Sequence, residues 1–265
     1  MTVPELMTQV LTDTTATGPD ALVARSVYLV QHGTRLAGSP QIFRNCYVMV
    51  RCETAFGVCA VDIGEVDNNV IDLSGSTIAE LLRHPLLPIR VAALDAYLGA
   101  TAPHREDPRA RRVELPTGTP DERAIARDTA IADLLHIQPG HRVALIGVVN
   151  PLVAAIRDRG GECLPCDLNL TQTHWGDPVE KDMHRVIEHA DMVLATGMTI
   201  GNGTFDEIMQ ACRRRDIPLT IYAQTAAAVA RAFLGRGVTS LSAEHVPLSQ
   251  MSADASPIYL YEAAE

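Results

Sequence analysis

From residue 142 to residue 204 the chain reads RVALIGVVNPLVAAIRDRGGECLPCDLNLTQTHWGDPVEKDMHRVIEHADMVLATGMTIGNGT. Short apolar runs alternate there with longer stretches of helical period. The pattern predicts strands over 142–149, 162–168 and 191–195, and helices over 151–159, 178–189 and 204–214. It continues beyond, with a helix expected over 226–234 and strands over 219–223, 240–243 and 258–261. Strands separated by helices join through right-handed crossovers into a mostly parallel sheet. A helix over 121–135 leads into this half.

In an open parallel sheet the ligand site lies outside the C-terminal strand ends, where the strand order reverses. Two loops are candidates. Residues 147–151 connect the first strand to its helix, and Pro151 suits a first helical turn whose free N–H groups face an anion. Gly147 and Asn150 are the site residues expected there. The loop is not the G-x-G-x-x-G fingerprint, so a standard dinucleotide site is not expected. Residues 196–204 form a glycine-rich polar loop that ends at Thr204, a competent helix cap. Thr196, Gly197, Asn202 and Thr204 are its candidate binding residues. Asp167 stands twenty residues after Gly147, where nucleotide-binding sheets place a ribose-binding carboxylate; a strand-ending turn former is the competing reading. Cys163 and Cys166 fall within one strand and on opposite faces, which predicts buried inert thiols rather than a zinc or redox pair.

Toward the N-terminus, residues 3–14 read as a short amphipathic helix. Runs over 26–31, 47–52 and 56–62 read as an antiparallel meander, with Gly33, Gly38, Pro40 and Thr54-Ala55 in the turns between them. A helix capped by Ser74 or Ser76 and a second helix over 89–98 follow. The stretch 101–120 is rich in Pro, Arg and Asp without periodicity and reads as an exposed linker. The expected fold class is α/β, with a small α+β domain over 1–115 and a Rossmann-like, mostly parallel sheet over 116–265. His32 and Arg35 follow the first strand, where a histidine can act as acid or base and an arginine can anchor an anion. Asp62, Glu65 and Asp67 form an acidic run of solvated loop character.

The 265 residues carry a net charge of −10, which argues against a nucleic-acid partner. The start MTVPELMTQVLTDTT has neither a basic region nor an apolar core, and no apolar run reaches membrane length. A cytoplasmic protein with six free thiols is the expectation.

The stretches VALIGVVNPLVAAIRDRG and ADMVLATGMTIGNGTFDEIM resemble the Rossmann-like domain of the putative heavy-metal chelation family. DLSGSTIAELL and IRVAALDAYLGA resemble the two helices of its enolase amino-terminal-like companion domain. The resemblance implies a site in the cleft between the domains, including Gly147, Asn150, Thr196, Gly197, Asn202 and Thr204. Three functions stay open: an enzyme or carrier acting on a small metal-chelating molecule, an enzyme using S-adenosylmethionine or another nucleoside, and a non-catalytic metal-binding module. S-adenosylmethionine and a divalent metal are the cofactor candidates. The partners expected are a small-molecule substrate and, as an open assembly state, a homodimer.

Overall fold

A computed structural model describes residues 1–35 and 42–264. The chain opens with α1 (Val3–Leu11), started by a capping box in which Thr2 and Glu5 each bond the other's backbone N–H. Its buried face is Val3, Leu6, Met7 and Val10, one stripe at helical spacing. The meander follows: β1 (Ala24–Thr34), β2 (Phe43–Cys52) and β3 (Ala55–Val61) pair antiparallel in that order. The expected turn residues Gly38 and Pro40 lie outside the described residues.

Helix α2 (Ile78–Leu82) is capped by Thr77 and not by Ser74 or Ser76. Thr77 wins because Glu80 stands three residues on and completes a capping box, whereas Ser74 Oγ serves Val27 N and Ile71 O. Helix α3 (Leu87–Thr101) begins earlier than expected because Pro88 falls in its first turn, where a missing N–H leaves no bond unmade. A Cβ on Gly57 would stand 2.1 Å from Ala92 O, so α3 lies directly on the β3 backbone.

The stretch 101–120 is not a plain linker. It holds a 3-10 turn, His104–Glu106, and strand β4 (Arg111–Leu115). The Rossmann-like part then runs α4 (Pro120–Asp133), β5 (Arg142–Ile146), α5 (Asn150–Asp158), β6 (Glu162–Cys166), α6 (Met183–His189) and β7 (Met192–Thr196). It continues with α7 (Met198–Gly201), α8 (Phe205–Arg215), β8 (Leu219–Ala223), α9 (Ala227–Ala232), β9 (Ser240–Ala243) and β10 (Ser256–Glu262). The expected helix over 178–189 starts only at Met183, where Asp182 caps it, because Glu180 pairs instead with the end of β6.

These strands form one seven-stranded sheet in the order β4-β10-β9-β8-β7-β5-β6. β5 to β9 are parallel, while β10 runs antiparallel to both β9 and β4. The polar run Arg111–Leu115 is tolerated as a strand because it sits at an edge, paired on one side. From β5 the chain places β6 on one flank and β7, β8 and β9 on the other, so the order reverses between β5 and β7. Cys163 and Cys166 pack into different core clusters on the two faces of this sheet. No helix among the described residues is long and apolar enough to cross a membrane.

Candidate functional site

The loops after β5 and β7 meet at the reversal point, as their adjacent parallel strands require. Gly147 takes φ +85°, and a Cβ there would stand 2.6 Å from Thr196 Cγ2. Tyr222 Oη on β8 donates to Gly147 O at 2.5 Å, and Gly197 N donates to Tyr222 O. The crevice between these loops is therefore closed by their own side chains. Asn150 Oδ1 accepts from His174 N at 2.9 Å.

Asp167 faces inward onto its own loop. Its carboxylate accepts from Val148 N at 2.9 Å, Asn169 N at 2.8 Å and Leu170 N at 3.0 Å. Lys181, the sole lysine of the sequence, completes this loop. Its ammonium donates to the carbonyls of Asp167, Leu168 and Leu170, as a bound cation would. Asn202 and Thr204 bond each other, Asn202 Oδ1 accepting from Thr204 Oγ1 at 2.7 Å. Their turn abuts the N-terminal part of the chain: a Cβ on Gly201 would meet Cys59 Sγ, and one on Gly203 would touch Leu87. His32 stacks on Tyr47 with centroids 5.7 Å apart, and Arg35 is exposed.

A concavity lies next door, at the C-terminal ends of β8 and β9. It has a volume of about 120 Å³ and draws its lining from both parts of the molecule. Phe56 and Val58 come from β3, Asp95 and Gly99 from α3, and His104 from the 3-10 turn. Gln224, Ala228, Glu244, His245 and Tyr259 come from the Rossmann-like part. None of His32, Arg35, Gly147, Asn150, Asp167, Thr196, Gly197, Asn202 and Thr204 lines it.

Both carboxylates of the lining are held by definite sets of bonds. Asp95 accepts from Val58 N at 2.9 Å and from Ala228 N at 2.8 Å, with Val229 N at 3.3 Å. Burial pushes its carboxyl up to about 6, against the pull of these N–H groups and of Arg231. Glu244 accepts from Ser249 N and, at 2.8 Å, from Gln224 Nε2, which also donates to Gln250. Arg127 stands 3.9 Å behind Glu244 and 2.6 Å from Asp128, so one guanidinium balances two buried carboxylates. His104 stacks on Tyr259 at 5.8 Å, and its Nδ1 lies 2.7 Å from Tyr261 Oη. Burial first, then the neighbouring Arg231, pulls the His104 imidazole down to about 3, so it is neutral throughout the physiological range. His245 also lies against Tyr259, with centroids 5.8 Å apart, and is lowered by burial too.

Sequence reasoning missed this lining. Two signals were present. Asp95 is a lone carboxylate inside the apolar helix IRVAALDAYL, and Glu244-His245 directly follows a strand of the parallel set.

A heavy-metal site does not fit the described residues. Among the described residues no three His, Cys, Asp or Glu side chains converge to hold an ion. The six thiols are free, and burial raises them, to about 11 for Cys52 and Cys166 and about 12 for Cys163 and Cys212. A soft metal wants thiolates, and these sites disfavour them.

The fold defines a class: a Rossmann-like, mostly parallel seven-stranded sheet with its helices, preceded by a small α+β unit built on a three-stranded antiparallel sheet. Residues 130–247 match the family model DUF364, described as putative heavy-metal chelation, the family that the sequence resembled. A protein of unknown function from this family in Desulfitobacterium hafniense superposes with a TM-score of 0.64 at 12% identity, over 98% of each chain. A second, from Pyrococcus horikoshii, gives 0.61 at 16% identity, over 99% of this chain and 100% of that one. Both share the fold. No curated protein matches the sequence.

Proposed function

We propose that the protein binds a small molecule, as an enzyme binds its substrate, in the cleft between its two parts. The observation that carries this reading is the convergence of Asp95, His104, Gln224, Glu244, His245 and Tyr259 on one cavity lined from both sides. Concave sites with a few placed polar groups in an apolar wall are where small ligands bind, and domain junctions supply them. The cavity also opens at the C-terminal strand ends, where parallel sheets place their chemistry. Since the side chains of the described residues do not assemble a metal cage, the metal handling in the family description fits best as a small chelating molecule taken as substrate. The nucleoside reading has less support, because Asp167, its expected ribose ligand, is occupied by three backbone N–H groups.

The test is a ligand-observed NMR screen of small fragments against the wild type and Ala55→Phe, a substitution that adds a ring at a lining position of the cavity. Hits that compete with one another and vanish in Ala55→Phe support the reading. Hits that bind both proteins equally overturn it.

A further inference from the structure

The lining of the cavity carries three charged side chains, Asp95, Glu244 and Arg105, and they are not equivalent. Asp95 is answered by three backbone N–H groups, and Glu244 by Ser249 N, Gln224 and, at 3.9 Å, Arg127. A ligand anion against either would meet a buried carboxylate, and a ligand cation would meet one already balanced. Arg105 differs. Its Nη2 stands 3.2 Å from Glu106 Oε1, but the two side chains are 58% and 63% exposed. Water screens such a pair and leaves the guanidinium open to a better-placed anion. Its charge reaches the cavity wall: burial first holds the His245 imidazole down, and against the pull of Glu244 both Arg105 and Arg112 lower it further.

A second polar group of the lining is open. Gln224 Nε2 donates to Glu244 Oε2 and to Gln250 Oε1, each at 2.8 Å. A carboxylate only accepts, so the amide nitrogen must face Glu244, and both of its N–H bonds are taken. Gln224 Oε1 hydrogen-bonds nothing among the described residues and is not shut off from solvent, on a side chain that borders the cavity. It offers an acceptor to a ligand N–H. Four rings, Phe56, His104, His245 and Tyr259, line the same space of about 120 Å³, the scale that encloses one single-ring molecule.

We propose that the cavity takes a planar azole carboxylate, with Arg105 holding the carboxylate and Gln224 Oε1 accepting from the ring N–H. This rests on the cavity being the ligand site, and it names the chelator held there, because a ring nitrogen beside a carboxylate is a bidentate set for a divalent metal. A neutral azole leaves Arg105 without an anion. An oxazole, with oxygen in place of the N–H, sets one acceptor against another at Gln224.

The experiment titrates the full ¹⁵N-labelled chain with imidazole-4-carboxylate, oxazole-4-carboxylate and imidazole, at about pH 8 where an imidazole ring is neutral. Dissociation constants are read from the amide shifts of Val58, Ala227 and Ala228, which line the cavity. Imidazole-4-carboxylate is expected to bind tightest, about fivefold ahead of either other probe. Arg105→Gln is expected to weaken both carboxylates about fivefold and to leave imidazole unchanged. Gln224→Met is expected to abolish the preference for imidazole-4-carboxylate over oxazole-4-carboxylate. That matched pair also reads the donor in the wild type, where no side chain is disturbed. Equal binding of the two carboxylates by the wild type overturns the role of Gln224. Carboxylate binding no tighter than that of imidazole, or unmoved by Arg105→Gln, overturns the role of Arg105, and either result leaves the cavity as the site. If no probe moves these amides while other fragments are still lost in Ala55→Phe, this inference alone falls. If nothing binds the cavity, the reading of the cavity falls with it.

Discussion

Asp95 Oδ1 lies 2.8 Å from the amide nitrogen of Ala228, joining the central helix of the N-terminal half to the first turn of α9. The other carboxylate oxygen takes Val58 N at 2.9 Å, so one side chain ties α3, β3 and α9 together at the wall of the cavity. Asp95→Ala leaves these buried N–H groups without acceptors. It is expected to destabilise the fold by on the order of 3 kcal/mol, read as a lower urea midpoint. A loss below about 1 kcal/mol would mean that water takes over the role.

His104 makes the acid limb of stability steep. Its value falls from 6.5 in the unfolded chain to about 3 in the fold. The unfolded state therefore binds the extra proton between these limits, and the stabilisation present above 6.5 is lost as pH falls toward 3. Asp95, raised from 3.8 to about 6, has the opposite sign: its contribution is present below 3.8 and is lost as pH rises through 6. Comparing wild type with His104→Phe cancels the Asp95 contribution. Unfolding free energies of the two should diverge between pH 6 and pH 4 by up to about 1.4 kcal/mol per pH unit. Parallel curves would show that His104 titrates normally.

Arg123 is fully buried and, among the described residues, has no carboxylate partner; it is answered by the carbonyls of Pro116, Ser249 and Asp254 and by Ser256 Oγ. It fixes the segment that carries the chain from β9 to β10. Arg123→Met should cost about 3 kcal/mol, seen as a lower melting temperature, by orphaning those acceptors. An unchanged melting temperature would assign the segment's order to apolar packing alone.

Lys181 holds a local structure rather than the whole fold. Lys181→Met is expected to leave the melting temperature within about 1 °C, since exposed polar contacts contribute little globally. Amide exchange at Asn169 and Leu170 should nevertheless accelerate severalfold, because the carbonyl cluster that orders their loop loses its cation. Unchanged exchange there would leave Asp167 as the sole organiser of the loop.

The parallel core was legible because its signal is local. The runs at 219–223 and 240–243 coincide with β8 and β9, and the meander strands differ from expectation only at their ends. What was hidden depends on distant partners. Arg111–Leu115 is a strand only because β10 pairs with it from more than 140 residues away, so nothing in 101–120 announces it. His104 lies in that same stretch and becomes part of a site only when Tyr259 and Tyr261 arrive beside it. Asp167 was correctly placed at a strand end, but its spacing could not show that its acceptor capacity is used by its own loop. The loops of Gly147 and Thr196 met as the strand order required, yet the open volume formed further along, where residues of β3 and α3 face those that follow β8 and β9.

The central claim is that this volume is where the protein holds its ligand, and crystals soaked with mixed small fragments test it most directly. The account predicts density for bound fragments among Phe56, His104, Glu244 and Tyr259. Fragments that gather instead beside Gly147, Asp167 and Asn202, with the cavity between β3 and β9 holding only water, would contradict it.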